Sequence, residues 1–481
     1  MRVKLAGFNV DIDLIRKNLV NQNVLTPETF SAAYARISRS KDDVTTLRKK
    51  AVKDVERARK SNKTIIFGMG HHSVAEHAVF NFDIIGVSRL ALEEIEKFRL
   101  VSYTEKSQRY VTLDGDYVIP EEIKDKADIE EFRRIVELQN EFYKKSFEVL
   151  KEYFSKFYDD PEKKSNKVLI EGSAKEDARY ILSLATEGQV GMTINARNLE
   201  HLFRRFSFSK RFEVRRIGQL MYSEVKDIAP SIILFPEPSA FEVKLSENTI
   251  NFDGIKKQRV EEFRILNVDN DSDLKIMSYI IASKKALNFP DVFEKLKSID
   301  KREIKDIYMS LFDDMEFFDS VPREFEFADL EFQAVISASN FAQLKRHRMA
   351  TLITSDYDIE LGNTIPPSII ENRLDKEFKE IIEKTNEVYL KFKDKYGVVA
   401  DYLLTNSHRR VVYMKMNLRE IYHFARLRSD EHAQWDIRNL SDRLVDEVKK
   451  LMPYSSMLLC GKGDFIDTFK KIYNKNPKFT I

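Results

Sequence analysis

Two stretches of this chain, more than two hundred residues apart, spell nearly the same phrase. Residues 193–206 read TINARNLEHLFRRF and residues 415–428 read KMNLREIYHFARLR. Each is followed by a short loop and a helical pattern, RFEVRRIGQLMYSEVKDIAP in one case and AQWDIRNLSDRLVDEVKKLMP in the other. Arg215 lies fifteen residues before Pro230, and Arg438 lies fifteen before Pro453. Upstream, GVSRLALEEIEKFRLVSYTEKSQRY (86–110) parallels VISASNFAQLKRHRMATLITSDYD (335–358); Ser88 precedes Lys97 by nine residues, as Ser337 precedes Arg346. An offset of 222 to 249 residues is far too long for a solenoid unit. It reads as one domain copied and fused in tandem, so whatever the first half folds into, the second must as well.

The length of 481 residues allows roughly two to four domains. The join is expected between about 231 and 262, where Pro230, Pro236 and Pro238 stop the preceding helix. The halves are therefore 1–235 and 262–481. FEVKLSENTINFDGIKK, beyond the prolines, reads as a short hairpin or loose linker with Asp253-Gly254 as a turn. In AVFNFDII (78–85), Phe80, Phe82 and Ile84 alternate as in a half-buried strand. SRLALEEIEKFRL reads as a helix with Leu90, Ile95 and Phe98 to one side, and KSQRYVTLDGDYVIP as extended. Residues 125–157, 175–185 and 197–228 read as helices. The predicted class is α/β or α+β, each half a sheet flanked by helices; strand order stays open.

Composition excludes several functions. Lys+Arg is 80 against Asp+Glu 78, and a net charge of +2 argues against a general nucleic-acid-binding surface. No run of about 18 apolar residues predicts a membrane helix. The opening MRVKLAGFNVDIDLIRKN carries acids where a signal peptide needs an apolar stretch, so the expected compartment is the cytoplasm. A single cysteine, Cys460, leaves no internal disulfide framework and no cysteine zinc cluster. Neither GxxxxGK[ST] nor GxGxxG occurs among 14 glycines.

Arginine clustering is the strongest local signal. RRFSFSKRFEVRR (204–216) holds six basic residues and one acid; KRHR (345–348) and HRR (408–410) are similar. Such clusters are either solvated helix faces or a focused anion site, since arginine forks bind phosphate oxygens bidentately. HHSVAEH (71–77) fits no zinc pattern: HExxH is absent, and three residues separate His72 from Glu76. No metal is expected there.

Taken together, GHHSVAEHAVFNF, VSR, EKSQRY and NARNL, with QLKRHR, NLREIYHF and AQWDIR in the second half, resemble the flavin-dependent thymidylate synthases. RISRS (36–40) matches the family's N-terminal segment, and the resemblance spans about 30–235 and 275–455. The family hallmark is an arginine-histidine-arginine triplet, followed after seven residues by a serine that opens Ser-x-Arg-Tyr. Here the two halves depart from it in opposite ways. The first half has Lys97-Phe98-Arg99 for the triplet and Glu94 for the preceding glutamine. It retains the nucleotide loop Glu105, Ser107, Gln108, Arg109, Tyr110, and the helical Arg179. The second half keeps Gln343, Arg346, His347 and Arg348 but has Asp356 and Asp358 in the loop and Asp401 opposite Arg179. Where His77 would fall it reads REFEF (323–327).

A phosphate 4 Å from a carboxylate is repelled by roughly 4 kcal/mol at an effective dielectric of about 20. The loop at 354–358 is therefore not expected to hold a nucleotide. In the family the pocket is shared between subunits, and the losses here are complementary. The resemblance thus implies one composite site per pair of halves. A catalytically inactive flavin- or nucleotide-binding paralogue is the alternative.

The implied reaction converts dUMP to dTMP, with methylenetetrahydrofolate as carbon donor, FAD as cofactor and NADPH as reductant. Cys460 in LLCGKG has no neighbouring base for a cysteine-nucleophile route. By resemblance, Glu105, Ser107, Gln108, Arg109 and Arg179 bind dUMP, with Gln343 and Arg346 on the pyrimidine and Arg438 on its carbonyl. Arg346 and Arg438 are the expected catalytic residues. His77, Arg346, His347 and Arg348 are expected to contact FAD, as are the pairs Asn195/Arg197 and Asn417/Arg419. The family's tetramer implies a homodimer of this fused chain, a pseudo-tetramer.

Overall fold

The computed structural model describes residues 1–11, 25–37, 40–108, 115–247 and 259–479. Its strands are β1 (Arg2–Phe8), β2 (Val79–Ser88), β3 (Val101–Glu105), β4 (Glu187–Asn195), β5 (Phe263–Val268), β6 (Asp329–Ser337), β7 (Thr351–Thr354) and β8 (Arg409–Asn417). They form two antiparallel sheets of the same topology, β1-β2-β4-β3 and β5-β6-β8-β7. The repeat holds down to register: Phe82 faces Met192 in one sheet and Phe332 faces Met414 in the other. Even the irregularity in the first strand recurs, between Leu5 and Gly7 and between Ile265 and Asn267.

The alternation seen at 78–85 has the expected cause. Phe80, Phe82 and Ile84 are buried under helices, as are Leu330, Phe332 and Ala334 in β6. Burying each phenylalanine is worth roughly 1.5–3 kcal/mol, so a one-residue register slip is costly. Each central strand ends on a serine that starts a short helix. Ser88 Oγ accepts from Ala91 N, and Ser337 Oγ from Asn340 N, each at 2.9 Å. The helices Arg89–Ile95 and Ala338–Leu344 that follow set the positions of Glu94 and Gln343.

Three local readings differ from the structure. The helix expected over 175–185 ends at Ala178, passes through a short turn at Arg179–Ile181 and becomes extended. There its backbone finds partners in 401–406: Leu184 N donates to Leu404 O at 2.7 Å and Ala185 N to Tyr402 O at 3.1 Å. The span 197–228 is two helices, Ala196–Ser207 and Phe212–Val225, broken at 208–211. The expected hairpin after Pro238 begins instead as a helix, Ala240–Glu247. Ser239 and Glu242 cap it reciprocally, Glu242 N to Ser239 Oγ and Ser239 N to Glu242 Oε2. Asp253-Gly254 lies outside the described residues.

The compact units do not follow the repeat. One comprises 1–256 with 365–406; the other comprises 257–364 with 407–481. In the first, helix Asp375–Tyr396 packs on helix Lys126–Ser155 through Phe132–Phe392 and Phe142–Phe378. The buried Gln139 amide donates to Thr385 Oγ1 and Leu403 O, both at 3.0 Å. Among the described residues no helix is long and apolar enough to cross a membrane.

Candidate active site

In the first unit the segment expected to bind the nucleotide begins where β3 ends. Glu105 is its last residue, paired with Val190 of β4, and Ser107 and Gln108 follow, half-buried. Arg109 and Tyr110 lie outside the described residues. Arg179 is buried at the end of helix Lys164–Ala178, its Nε donating to Glu176 O at 3.2 Å. One residue joins these two parts: Asn406 Nδ2 donates to Gln108 Oε1 at 3.2 Å and to Arg179 O at 3.0 Å.

In the second unit, Gln343 ends helix Ala338–Leu344 and is buried, its Nε2 reaching Gln434 Oε1 at 3.3 Å. Its own Oε1 is buried and has no hydrogen-bond partner among the described residues. Gln434 caps helix Trp435–Leu451, the helix that carries Arg438. Asp436 on that helix accepts from Ser337 Oγ (2.6 Å) and Asn340 Nδ2 (3.0 Å), tying it to the helix of Gln343. Arg438 is half-buried and donates to Glu431 O.

The triplet divides its members. Arg346 and Arg348 are exposed, whereas His347 is buried. Arg428 Nε donates to His347 Nε2 at 3.0 Å, which requires the proton on Nδ1, 3.4 Å from Glu420 Oε1. Burial, followed by the nearby Arg428 and His423, outweighs Glu420 and holds the imidazole below its ordinary range. Its neutral form is therefore favoured at pH 7.

Both Asn-x-Arg pairs have structural work. Asn195 and Asn417 cap helices Ala196–Ser207 and Leu418–Arg428, accepting from Asn198 N and Glu420 N. Arg197 pairs with Glu76 at 2.6 Å, and Arg419 with Glu326 at 3.0 Å. His77 is exposed and stands edge-on to Tyr34 at 4.6 Å. In the second unit, Asn417 and Arg419 border a cavity of about 280 Å³, together with Met349, Glu420, His423 and Arg426.

The first repeat's copy of the glutamine-triplet region is closed by charges gathered within the first unit. Arg211 Nη2 meets Asp401 Oδ2 at 2.6 Å, Arg211 Nη1 lies 3.7 Å from Glu94, and Lys97 meets Glu94 at 2.8 Å. By the repeat these are the counterparts of Gln434, Arg179, Gln343 and Arg346. Burial works to raise the Glu94 carboxyl, but Lys97 and Arg211 hold it below the usual range. Burial likewise opposes the Arg211 charge, yet Asp401 and Glu94 raise its pKa.

Arg211 is thus neither on a solvated face nor in an open anion site, the two readings of its cluster. Its neighbour Arg215 donates to Ser209 O at 2.5 Å. In the 408–410 cluster, His408 is buried, Arg409 pairs with Glu262, and Arg410 lies between the rings of Phe341 (3.9 Å) and Tyr357 (4.4 Å). That cluster braces the second half's altered loop from within its own unit.

Sequence reasoning missed Asn406, Glu420, Arg428 and the partner of Arg211. The internal alignment held a signal for one of them. At the repeat offset Arg428 corresponds to Phe206, and the triplet histidine to Phe98. Phe98 and Phe206 pack edge to face at 6.0 Å, so a polar pair in one half is an apolar pair in the other.

Comparison with known proteins agrees with the duplication. A protein of Thermoplasma acidophilum named "UPF0159 protein Ta1429" is 25% identical over 467 residues, covering 84% of this chain and 88% of that protein. A "UPF0159 protein" of Chlamydia muridarum is 24% identical, covering 84% of this chain and 81% of its own. A "Flavin-dependent thymidylate synthase" of Clostridium tetani is 35% identical over 178 residues, 36% of this chain and 69% of that protein. The model of the family described as "Thymidylate synthase complementing protein" matches twice, over residues 18–231 and 278–454. Matched across both repeats, the chain belongs to the thymidylate synthase complementing protein family, as a tandem member.

Proposed function

We propose that this protein methylates dUMP to dTMP as a flavin-dependent thymidylate synthase, with methylenetetrahydrofolate and NADPH as co-substrates. One contrast carries the reading. Gln343 offers, next to Gln434, a buried Oε1 with no partner among the described residues, whereas its counterpart Glu94 is engaged by Lys97 and Arg211. An empty acceptor inside a protein costs roughly 1–3 kcal/mol, which a substrate N–H recovers. The half that keeps the triplet keeps this acceptor open.

In this reading Ser107, Arg109 and Arg179, with Glu105 and Gln108, hold the phosphate and sugar. Gln343 and Arg346 hold the pyrimidine, and Arg438 its carbonyl. The two arginines stabilise negative charge as ring carbon C5 becomes nucleophilic. The contributing halves belong to one chain or to two.

Reduced FAD supplies the hydride when bound. The cavity beside Asn417, Arg419, His423 and Arg426 is also lined by Asp319, Glu326 and Glu420, so its donors and acceptors suit an uncharged polar part of a dinucleotide rather than its phosphates. Its position beside Met349, next in sequence to Arg348, favours the second repeat's Asn-x-Arg pair over Asn195/Arg197. Arg346, His347 and Arg348 serve the same cofactor, His347 by holding its surroundings rather than from an exposed position.

The test is an absorption spectrum of the purified protein with and without dUMP, followed by assay of dTMP. A flavin spectrum perturbed by dUMP, with dTMP formed, is expected. Flavin bound without dTMP would instead identify a cofactor-binding relative that has lost turnover.

A further inference from the structure

Asn406 belongs by sequence to the second repeat, whose nucleotide loop is altered, yet it lies in the compact unit of the first. It is 1% exposed, and its backbone N donates to Leu182 O at 2.9 Å, beside the Ser183–Thr405 bridge. Its side-chain amide has two hydrogens and uses both, one on Gln108 Oε1 and one on Arg179 O. The acceptor at Arg179 is a main-chain carbonyl, so this end of the amide must be the nitrogen. One buried group thereby fixes both the nucleotide loop and the turn that presents the Arg179 guanidinium.

The repeat supplies a control. At an offset of 222 residues Asn406 corresponds to Leu184 and Arg179 to Asp401, and at an offset of 249 Gln108 corresponds to Tyr357. A leucine side chain cannot donate, and the loop and arginine it would brace are also lost. The asymmetry between the halves therefore extends to a third position, which no motif marks.

We infer that Asn406 is a positioning residue for the nucleotide, holding Gln108 and Arg179 in register for the substrate's phosphate and sugar. This rests on the proposed function, since it deepens the role of that site. Aligning the two parts in advance lowers the ordering cost of binding.

The experiment compares wild type with Asn406→Leu, Asn406→Ser, Gln108→Ala and the double variant Asn406→Leu/Gln108→Ala. dUMP affinity is read by equilibrium dialysis, KM and kcat by dTMP formation, and integrity by flavin content and melting temperature. Asn406→Leu is expected to weaken dUMP about tenfold in Kd and KM, with folate KM and flavin content unchanged. Asn406→Ser, which keeps a donor, should recover part of the loss. The double variant should be little worse than Asn406→Leu alone, because both changes break the same bridge. Unchanged dUMP affinity, fully additive losses, or parallel loss of folate and flavin binding would overturn the inference. Gln108→Ala reads the bridge from a half-buried loop should the leucine variant not fold. Dialysis separates the two claims: dUMP binding without turnover defeats the proposed reaction but leaves Asn406 on trial. Failure of wild type to bind dUMP defeats both.

Discussion

In the second repeat the half-buried Arg428 donates through Nε to Nε2 of the buried His347 at 3.0 Å, while the same two positions of the first repeat are Phe206 and Phe98 in edge-to-face contact. A hydrogen-bonded cation and imidazole have thus been exchanged as a unit for two aromatic rings. In each half the two side chains partner each other, and exchanging one alone would break that pairing. His347 facing a phenylalanine would lose a buried partner, and Arg428 facing one would be a desolvated charge.

This pairing predicts acid sensitivity of the second unit. The His347 pKa is lowered by burial first, then by Arg428 and His423. The unfolded histidine titrates near 6.5, so below that pH the unfolded state binds the extra proton first. The associated stability is full above about pH 6.5 and is lost as pH falls through the window beneath it. Thermal melts of wild type between pH 7.5 and 5.5 should show this decline. The double variant His347→Phe/Arg428→Phe should show a shallower one, and parallel curves would contradict the assignment.

Flavin stoichiometry follows from the same exchange. Lys97-Phe98 replaces arginine-histidine in the first triplet, and the second repeat has the polar cavity beside its triplet. We expect no more than one FAD per 481-residue chain. Two per chain, by flavin absorbance against amino-acid analysis, would mean that both triplets work.

The buried pair Arg211–Asp401 should be a structural joint within the first unit. Removing one partner of a buried ion pair costs about 3–5 kcal/mol, because the other is left uncompensated. Arg211→Met and Asp401→Leu should each destabilise by this order in urea unfolding, and the double variant should recover much of the loss. Restoring the family residue by Asp401→Arg should be no better than Asp401→Leu, since it places two arginines together. Single losses under about 1 kcal/mol would show that the joint contributes little.

Substrate binding should respond asymmetrically to mutation. Arg109→Ala and Arg346→Ala should each weaken dUMP by about tenfold to hundredfold, the worth of one charge-assisted hydrogen bond of roughly 1.5–3 kcal/mol. Arg99→Ala and Asp358→Ala should change binding little. If the two contributing halves come from different chains, mixing the Arg109→Ala and Arg346→Ala proteins should restore part of the binding; within one chain, mixing restores nothing. Equal losses from Arg99→Ala and Arg346→Ala would refute the division of labour.

The amino-acid sequence alone determined the duplication, the strand read at 78–85 and the helix read from Ser88 onward. These depend on local periodicity and on a serine three residues from the N–H it caps, and such signals are written in neighbouring letters. The motif residues and their complementary losses were legible for the same reason, as spacing along one chain. Only the tertiary structure decided that 365–406 belongs to the first compact unit, and that Asp401, a lost arginine by motif, is the buried partner of Arg211. It also decided that Asn406 spans Gln108 and Arg179. Those choices rest on backbone groups near 179–186, where the expected helix stops, satisfying their hydrogen bonds against a segment more than two hundred residues away. A buried N–H must find an acceptor, but nothing in its own vicinity says which distant carbonyl that will be.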